Sequence, residues 1–189
     1  MFAEQFLPLV TERLILRRFV DLDLKPFLAY RQDPQVARFQ GWSMLSLAEA
    51  QCFISEMQTA PIGMPGEWFQ IAIAHRQSNL LLGDIGMQVY RENPAVVEIG
   101  FTLGRGAQGQ GYAKEAVQGL IDALFQLGTI GKVVGITDMR NEPSIRLLQR
   151  LGMTLVRSDE VLFKGEWCVE QTFELAREKW SLVQASGAI

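Results

Sequence analysis

Two stretches of this chain combine residue types that do chemistry. In VVEIGFTL (96–103), alternation places Val97, Ile99, Phe101 and Leu103 on one face and Val96, Glu98, Gly100 and Thr102 on the other. The first face is apolar and belongs in a core. The second presents a carboxylate and a hydroxyl, and a carboxylate so placed either holds an ion pair or takes a proton. Directly downstream, LGRGAQGQGYAKEA (103–116) holds four glycines in the eight positions 104–111 and then turns to helix-forming residues. Glycine gives up the most conformational freedom on folding, so a cluster of four marks a backbone that something approaches closely. Between a strand and a helix start, free N–H groups and the helix dipole favour an anion such as a phosphate. A merely flexible loop is the competing reading.

Two phosphate-binding patterns are tested by the same residues. The pattern G-x-x-x-x-G-K-[ST] is not met. G-x-G-x-x-G is met by Gly104-Arg105-Gly106-Ala107-Gln108-Gly109, and Asp138 ends the following strand, so a dinucleotide site is an alternative. Against it, Gln110-Gly111 prolongs the glycine run, the helix begins only after Gly111, and Glu98 interrupts a strand that a dinucleotide fold keeps apolar on both faces.

These segments need a frame. RLILRRF (13–19) reads as a strand, followed by a helix with Leu24, Phe27, Leu28 and Arg31 at helical spacing and Asp21 or Asp23 as its cap. A second helix runs from Ser46 to about Met57. Residues 67–76 and 79–90 form a hairpin, after turn signals at 63–66 and before those at 91–95. Then come strand 96–103, the glycine segment and helix 111–127, whose Ala113, Ala116, Val117, Leu120, Ile121, Leu124 and Leu127 make one apolar stripe. Strand 132–139, helix 142–151 and strands near 153–163 and 167–176 complete the pattern. Asn141 caps the last of these helices, Pro143 sits in its first turn and Gly152 follows its end. Ser144 reads structurally as a first-turn serine that bonds the backbone. Strands first, then two strand–helix units and a closing hairpin, predict a mixed α/β sheet.

The 189 residues suit one domain spanning 1–189, with a core of about 11–180. With 48% hydrophobic and 21% charged residues the composition is that of a globular protein. A net charge of −3 gives no basic surface for nucleic acid, and the apolar runs fall short of the ~20 residues of a membrane span. Glu4 and the lack of a basic start argue against a leader peptide. Two cysteines and one histidine offer neither a disulfide framework nor a metal site. The expectation is a cytoplasmic protein without metal, nucleic-acid or membrane partners, monomeric or homodimeric.

QGQGYAKEA (108–116) read together with NEPSIRLLQRLGM (141–153) resembles the GNAT superfamily of acetyl-CoA-dependent N-acetyltransferases, and within it the branch that acetylates ribosomal-protein N-termini. TERLILRRF (11–19), VEIGFTLG (97–104) and FKGEWCVEQTFELAREKW (163–180) carry the resemblance nearly from end to end. One departure is visible: Gly106 stands where the family motif has Gln or Arg, with Arg105 and Gln108 as neighbours. The resemblance implies an α/β fold with a six- or seven-stranded, mostly antiparallel sheet, splayed at its central parallel strands and flanked by about four helices. It implies acetyl-CoA as co-substrate, its pantetheine beside Phe101, Thr102 and Leu103 and its pyrophosphate at Gln108, Gly109, Gln110, Gly111, Tyr112 and Ala113. Asn141 joins the cofactor site, and Arg146 and Arg150 face a 3′-phosphate or form a solvated surface. For amine attack on a thioester, Glu98 becomes the candidate base and Ser144 the partner of the leaving thiolate. Leu148 occupies the position where many members have a tyrosine. The acceptor is a primary amine, of a protein N-terminus or of a small molecule; a non-catalytic acyl-CoA-binding module is the third alternative. Its walls are expected from residues 21–66 and 163–167, with Trp42, Trp68 and Trp167 as candidates.

Overall fold

The period-two pattern of the sequence closes into one eight-stranded sheet in the order β1-β2-β3-β4-β5-β6-β8-β7 in the computed structural model, which describes residues 6–42 and 44–185. The strands are β1 (Leu9–Val10), β2 (Leu14–Arg17), β3 (Trp68–His75), β4 (Leu81–Val89), β5 (Val96–Leu103), β6 (Lys132–Asp138), β7 (Thr154–Phe163) and β8 (Glu166–Ala176). The helices are α1 (Leu24–Arg31), α2 (Pro34–Ala37), α3 (Leu47–Thr59), α4 (Tyr112–Gln126), α5 (Glu142–Arg150) and α6 (Arg177–Ala185). Residues Met1 to Gln5, on which the leader reading rests, and Ser43 lie outside the described residues.

Neighbouring strands run antiparallel except β5 and β6. That parallel pair is in register only from Val96↔Lys132 to Ile99↔Gly135. Beyond it β5 stays paired with β4 as far as Leu103, and β6 with β8 as far as Asp138. The sheet therefore splits between the two strands, as expected. α5 underlies the split: a Cβ on Gly135 would stand 2.9 Å from Leu148 Cδ2, so glycine lets this helix press against the strand. α4 buries Ala116, Val117, Leu120, Ile121, Leu124 and Phe125. Each of the large ones contributes about 1.5–3 kcal/mol.

The count of elements corrects the expectation. There are eight strands, because Leu9 and Val10 pair with Leu16 and Ile15 before a turn in which Thr11 N donates to Leu14 O. Two apolar residues carry no readable period. Six helices replace about four: α2 is a single turn opened by Pro34 and capped by Asp33, and α6 continues directly from β8. Ser46 caps α3 as expected, with Glu49 closing a reciprocal capping box. Asp23 stands at the N-cap position of α1, as expected, but its side chain makes no cap bond. Asp23 is buried, takes two bonds from the Arg17 guanidinium at 2.7 and 2.9 Å and one from Val20 N, and so fixes a 3₁₀ turn (Asp21–Asp23).

Candidate active site

The glycine segment turns into α4 through two left-handed residues, Gly109 at φ +74° and Gly111 at φ +81°. A side chain there would be strained whatever the space around it. Gly104 and Gly106 lack this constraint; a Cβ on Gly106 would meet nothing within 4 Å. After Gln108 N bonds Arg105 O, the next backbone donor with a protein acceptor is Glu115 N, to Gly111 O. Among the described residues nothing accepts from the N–H groups of Gly109, Gln110, Gly111, Tyr112, Ala113 or Lys114. They form a run of donors at the positive end of a 15-residue helix.

Arg13, ahead of β2, braces this run. Its Nε meets Glu115 Oε2 at 2.6 Å, a second nitrogen donates to Gln110 O at 3.0 Å, and its guanidinium lies 4.6 Å over the Tyr112 ring. Burial pushes the Glu115 carboxyl up, but bonds from the Thr11 hydroxyl and from Arg13 more than offset it, leaving it below the usual range. Gln110 contributes its backbone alone, since its side chain turns back to Gly106 O.

In front of these donors lies a cavity of about 430 Å³. Phe101, Thr102, Leu103, Gln108, Gly109, Gly111, Tyr112, Ala113, Asn141 and Ser144 line it, and so do Arg146 and Arg150. Lys114 joins them as a third cation. Of the expected cofactor residues only Gln110 is outside the lining. Phe101 was placed with the core face, yet it stands half-buried in the cavity wall, because the split removes its neighbour on β6. Thr102 is buried opposite Asp84.

A smaller cavity of about 60 Å³ continues into the split itself, between Ile99, Gly100 and Phe101 on one side and Gly135, Ile136 and Thr137 on the other. Asn141 and Ser144 line both cavities, as do Phe39 and Gln40. Asn141 Oδ1 accepts from Ser144 N at 3.4 Å, so its side chain is spent on the α5 cap while the Ser144 hydroxyl stays in the cavity wall.

Glu98 lies outside both linings, two residues along β5 from Gly100 and on the same face. Its partner is a tyrosine, not an arginine: Tyr90 Oη donates to Glu98 Oε2 at 2.8 Å. Burial raises the Glu98 pKa; the Tyr90 bond works against that and the nearby Glu170 charge adds to it. Asp138, the candidate ribose ligand of the dinucleotide alternative, is paired with Arg140 at 2.6 Å and held below the usual range by those bonds.

A family model described as the acetyltransferase (GNAT) domain matches residues 13–154. The chain belongs to the GNAT acetyltransferase family. It is 29% identical over 144 residues to the uncharacterized N-acetyltransferase p20 of Bacillus licheniformis, covering 76% of this chain and 80% of the relative. It is similar in fold to a GNAT-family acetyltransferase of Bacillus anthracis, with a TM-score of 0.80, 21% identity and coverage of 91% and 99%. RimL, the ribosomal L7/L12 α-N-protein acetyltransferase solved with coenzyme A, superposes with a TM-score of 0.75 at 16% identity over 90% of this chain and 97% of RimL. The dinucleotide alternative falls with this result, since the one parallel strand pair leaves no doubly wound sheet.

In this GNAT acetyltransferase the second wall of the cavities comes from residues 35–40, within the expected 21–66. Gln35, Val36, Phe39 and Gln40 face inward, held from outside by Arg105 on Asp33 at 2.5 Å and by Lys164 on Ala37 O at 3.1 Å. None of the three tryptophans lines a cavity. Trp42 stacks 3.6 Å over the buried Arg31 guanidinium, Trp68 edges the Glu98 face at the start of β3, and Trp167 is exposed opposite Leu162 at the β7–β8 end. Tyr90 and Lys114 were the functional candidates that pattern reading missed. A tyrosine eight residues before a strand carboxylate has no sequence signature, whereas Lys114, next to the glycine run, was legible as a cation in the first turn. The acetyltransferase has no described helix long and apolar enough to cross a membrane, and no described cluster of three metal-ligating side chains.

Proposed function

We propose that this enzyme transfers the acetyl group of acetyl-CoA to a protein N-terminal amine by direct attack, with Glu98 as proton acceptor and Ser144 beside the departing sulfur. The observation that carries the reading is the continuity of the site. Unpartnered N–H groups of Gly109, Gly111, Tyr112, Ala113 and Lys114, three cations and the split at Gly100 line adjoining cavities that share Phe101, Asn141 and Ser144. Donors and cations at the outer end suit a phosphorylated carrier, and the half-apolar split suits its slender arm. Acetyl-CoA supplies an activated acyl thioester.

The protein's part is positional and protonic. The α4 donors and Lys114, Arg146 and Arg150 fix the carrier's anionic end. β5 beyond Ile99 offers a backbone edge free of β6 to the arm. Glu98 Oε2, held by Tyr90, takes a proton directly or through a water, and its raised pKa brings it nearer to neutrality, where a base works best. Ser144 Oγ donates a hydrogen bond at the sulfur. An α-amine, with a pKa of ~7.7–8.0 against ~10.4 for lysine, needs less help from such a base. RimL's activity on an N-terminus supports the same acceptor.

The test is thiol release from acetyl-CoA with N-terminal peptides, amino acids, polyamines and aminoglycosides. Release should be fastest with peptides. A small amine outrunning every peptide overturns the N-terminal reading, and CoA binding with no release from any amine reduces the protein to a binding module.

A further inference from the structure

On the face that carries Glu98, two glycines form a row without side chains that leads toward the split, and the Gln70 side chain covers the first of them. Registers Gln70↔Gly86 and Gly86↔Gly100 put these three residues in one row over β3, β4 and β5, with all side chains on the Glu98 face. The next rows are Trp68, Gln88 and Glu98 on one side and Ala72, Asp84 and Thr102 on the other. The middle row has no side chain between Gln70 and the cavity in the split, whose wall Gly100 forms. The Gln70 carboxamide lies over Gly86: a Cβ there would stand 2.6 Å from Nε2 and 3.1 Å from Oε1. Gln70 N bonds the Met57 sulfur, but its carboxamide makes no hydrogen bond among the described residues. At Gly100 a Cβ would meet nothing within 4 Å.

We propose that Gln70 is the acceptor-positioning residue, its carboxamide pairing with the first peptide group of an N-terminal acceptor that enters over Gly86 with its amine at Gly100. The inference rests on the N-terminal reading above. The dimensions agree. Adjacent strands lie about 4.7–4.9 Å apart and an extended chain advances about 3.3–3.6 Å per residue. An amine over Gly100, beside Glu98, therefore brings the first peptide group within reach of the carboxamide that lies over Gly86. A carboxamide offers one donor and one acceptor side, the complement of a peptide group. An amine without that group gains nothing from Gln70.

The experiment compares an alanyl peptide with alaninol, which keeps the amine and loses the peptide bond, as acceptors for wild type, Gln70→Ala and Gly86→Ala. Loss of a neutral hydrogen-bonding partner predicts about a tenfold rise in peptide KM for Gln70→Ala. Peptide kcat and acetyl-CoA KM should hold, and the preference for peptide over alaninol should fall by the same factor. Gly86→Ala should copy this, because its methyl displaces the carboxamide. Equal losses with both acceptors, an altered acetyl-CoA KM, or an unchanged peptide preference in both variants would overturn the role of Gln70. Wild type inactive with both amines would instead defeat the N-terminal reading, and this inference with it.

Discussion

Replacing Glu98 by glutamine separates catalysis from stability in opposite directions. The amide keeps the shape and an oxygen to accept from Tyr90 Oη, so CoA affinity and fold should survive. What disappears is the proton acceptor, and turnover near neutral pH should fall by roughly 10²–10⁴-fold. The structure also fixes the sign of the stability change. The folded-state pKa of Glu98 is raised, first by burial and then by Glu170, so the fold disfavours the ionised form. A group with a raised folded pKa contributes fully below its unfolded pKa and loses that contribution as pH rises through the folded one. Wild type is therefore penalised at neutral pH, and Glu98→Gln should melt higher than wild type at pH 7, with the gain shrinking below the ordinary glutamate range. The assays are kcat/KM by thiol release from pH 4 to pH 9, and Tm at pH 4 and pH 7. Wild-type kcat/KM should rise with pH through the raised pKa, a limb missing from the variant. An unchanged rate demotes Glu98 to a structural carboxylate. A variant less stable at pH 7 refutes the electrostatic reasoning.

Tyr90→Phe removes the hydrogen bond that holds the Glu98 pKa down, so the acidic limb of the kcat/KM profile should move to higher pH; a limb that stays in place would show that Tyr90 does not tune the base. Acetyl-CoA at about 100 times its Kd should raise Tm by about 5–10 °C, from roughly 2.7 kcal/mol of linkage, whereas NAD(H) should not. Gly109→Val and Gly111→Val should lose most of that shift, since both positions have left-handed φ and present N–H donors; variants that fold and keep it would relocate the anion site. Ser144→Ala should slow turnover at every pH with CoA affinity intact, and a rate equal to wild type would leave Ser144 a plain helix-start residue.

The parts of the site built on local pattern were legible in the sequence. The glycine segment, the start of α4 at Tyr112, the Asn141 cap and the core side of β5 at Val97 and Ile99 all follow from periodicities and turn chemistry that a short window contains. Side-chain contacts between separate elements were not. Tyr90 meets Glu98 around a turn, Arg13 reaches Glu115 across 102 positions, and Lys164 reaches Ala37 across 127. Asp23 holds the cap position its spacing indicates, but the guanidinium of Arg17, six positions away on another element, takes its oxygens from the helix. β1 and α2, two and four residues long, fall below the length at which a period can be seen.

The short seam between β5 and β6 gives the molecule a mechanical character. Five strands lie on one side of it and three on the other, joined within the sheet only by the pairs Val96↔Lys132 to Ile99↔Gly135. The two plates have the outline of a clasp whose jaws face the open end, where, among the described residues, β5 and β6 each keep an edge without a partner strand. On the function proposed above, a slender chain laid between those edges would supply the missing rungs and stand for a moment as a strand of the sheet. Departure of the spent carrier would then unzip that ladder, and a longer seam would leave fewer rungs to unzip.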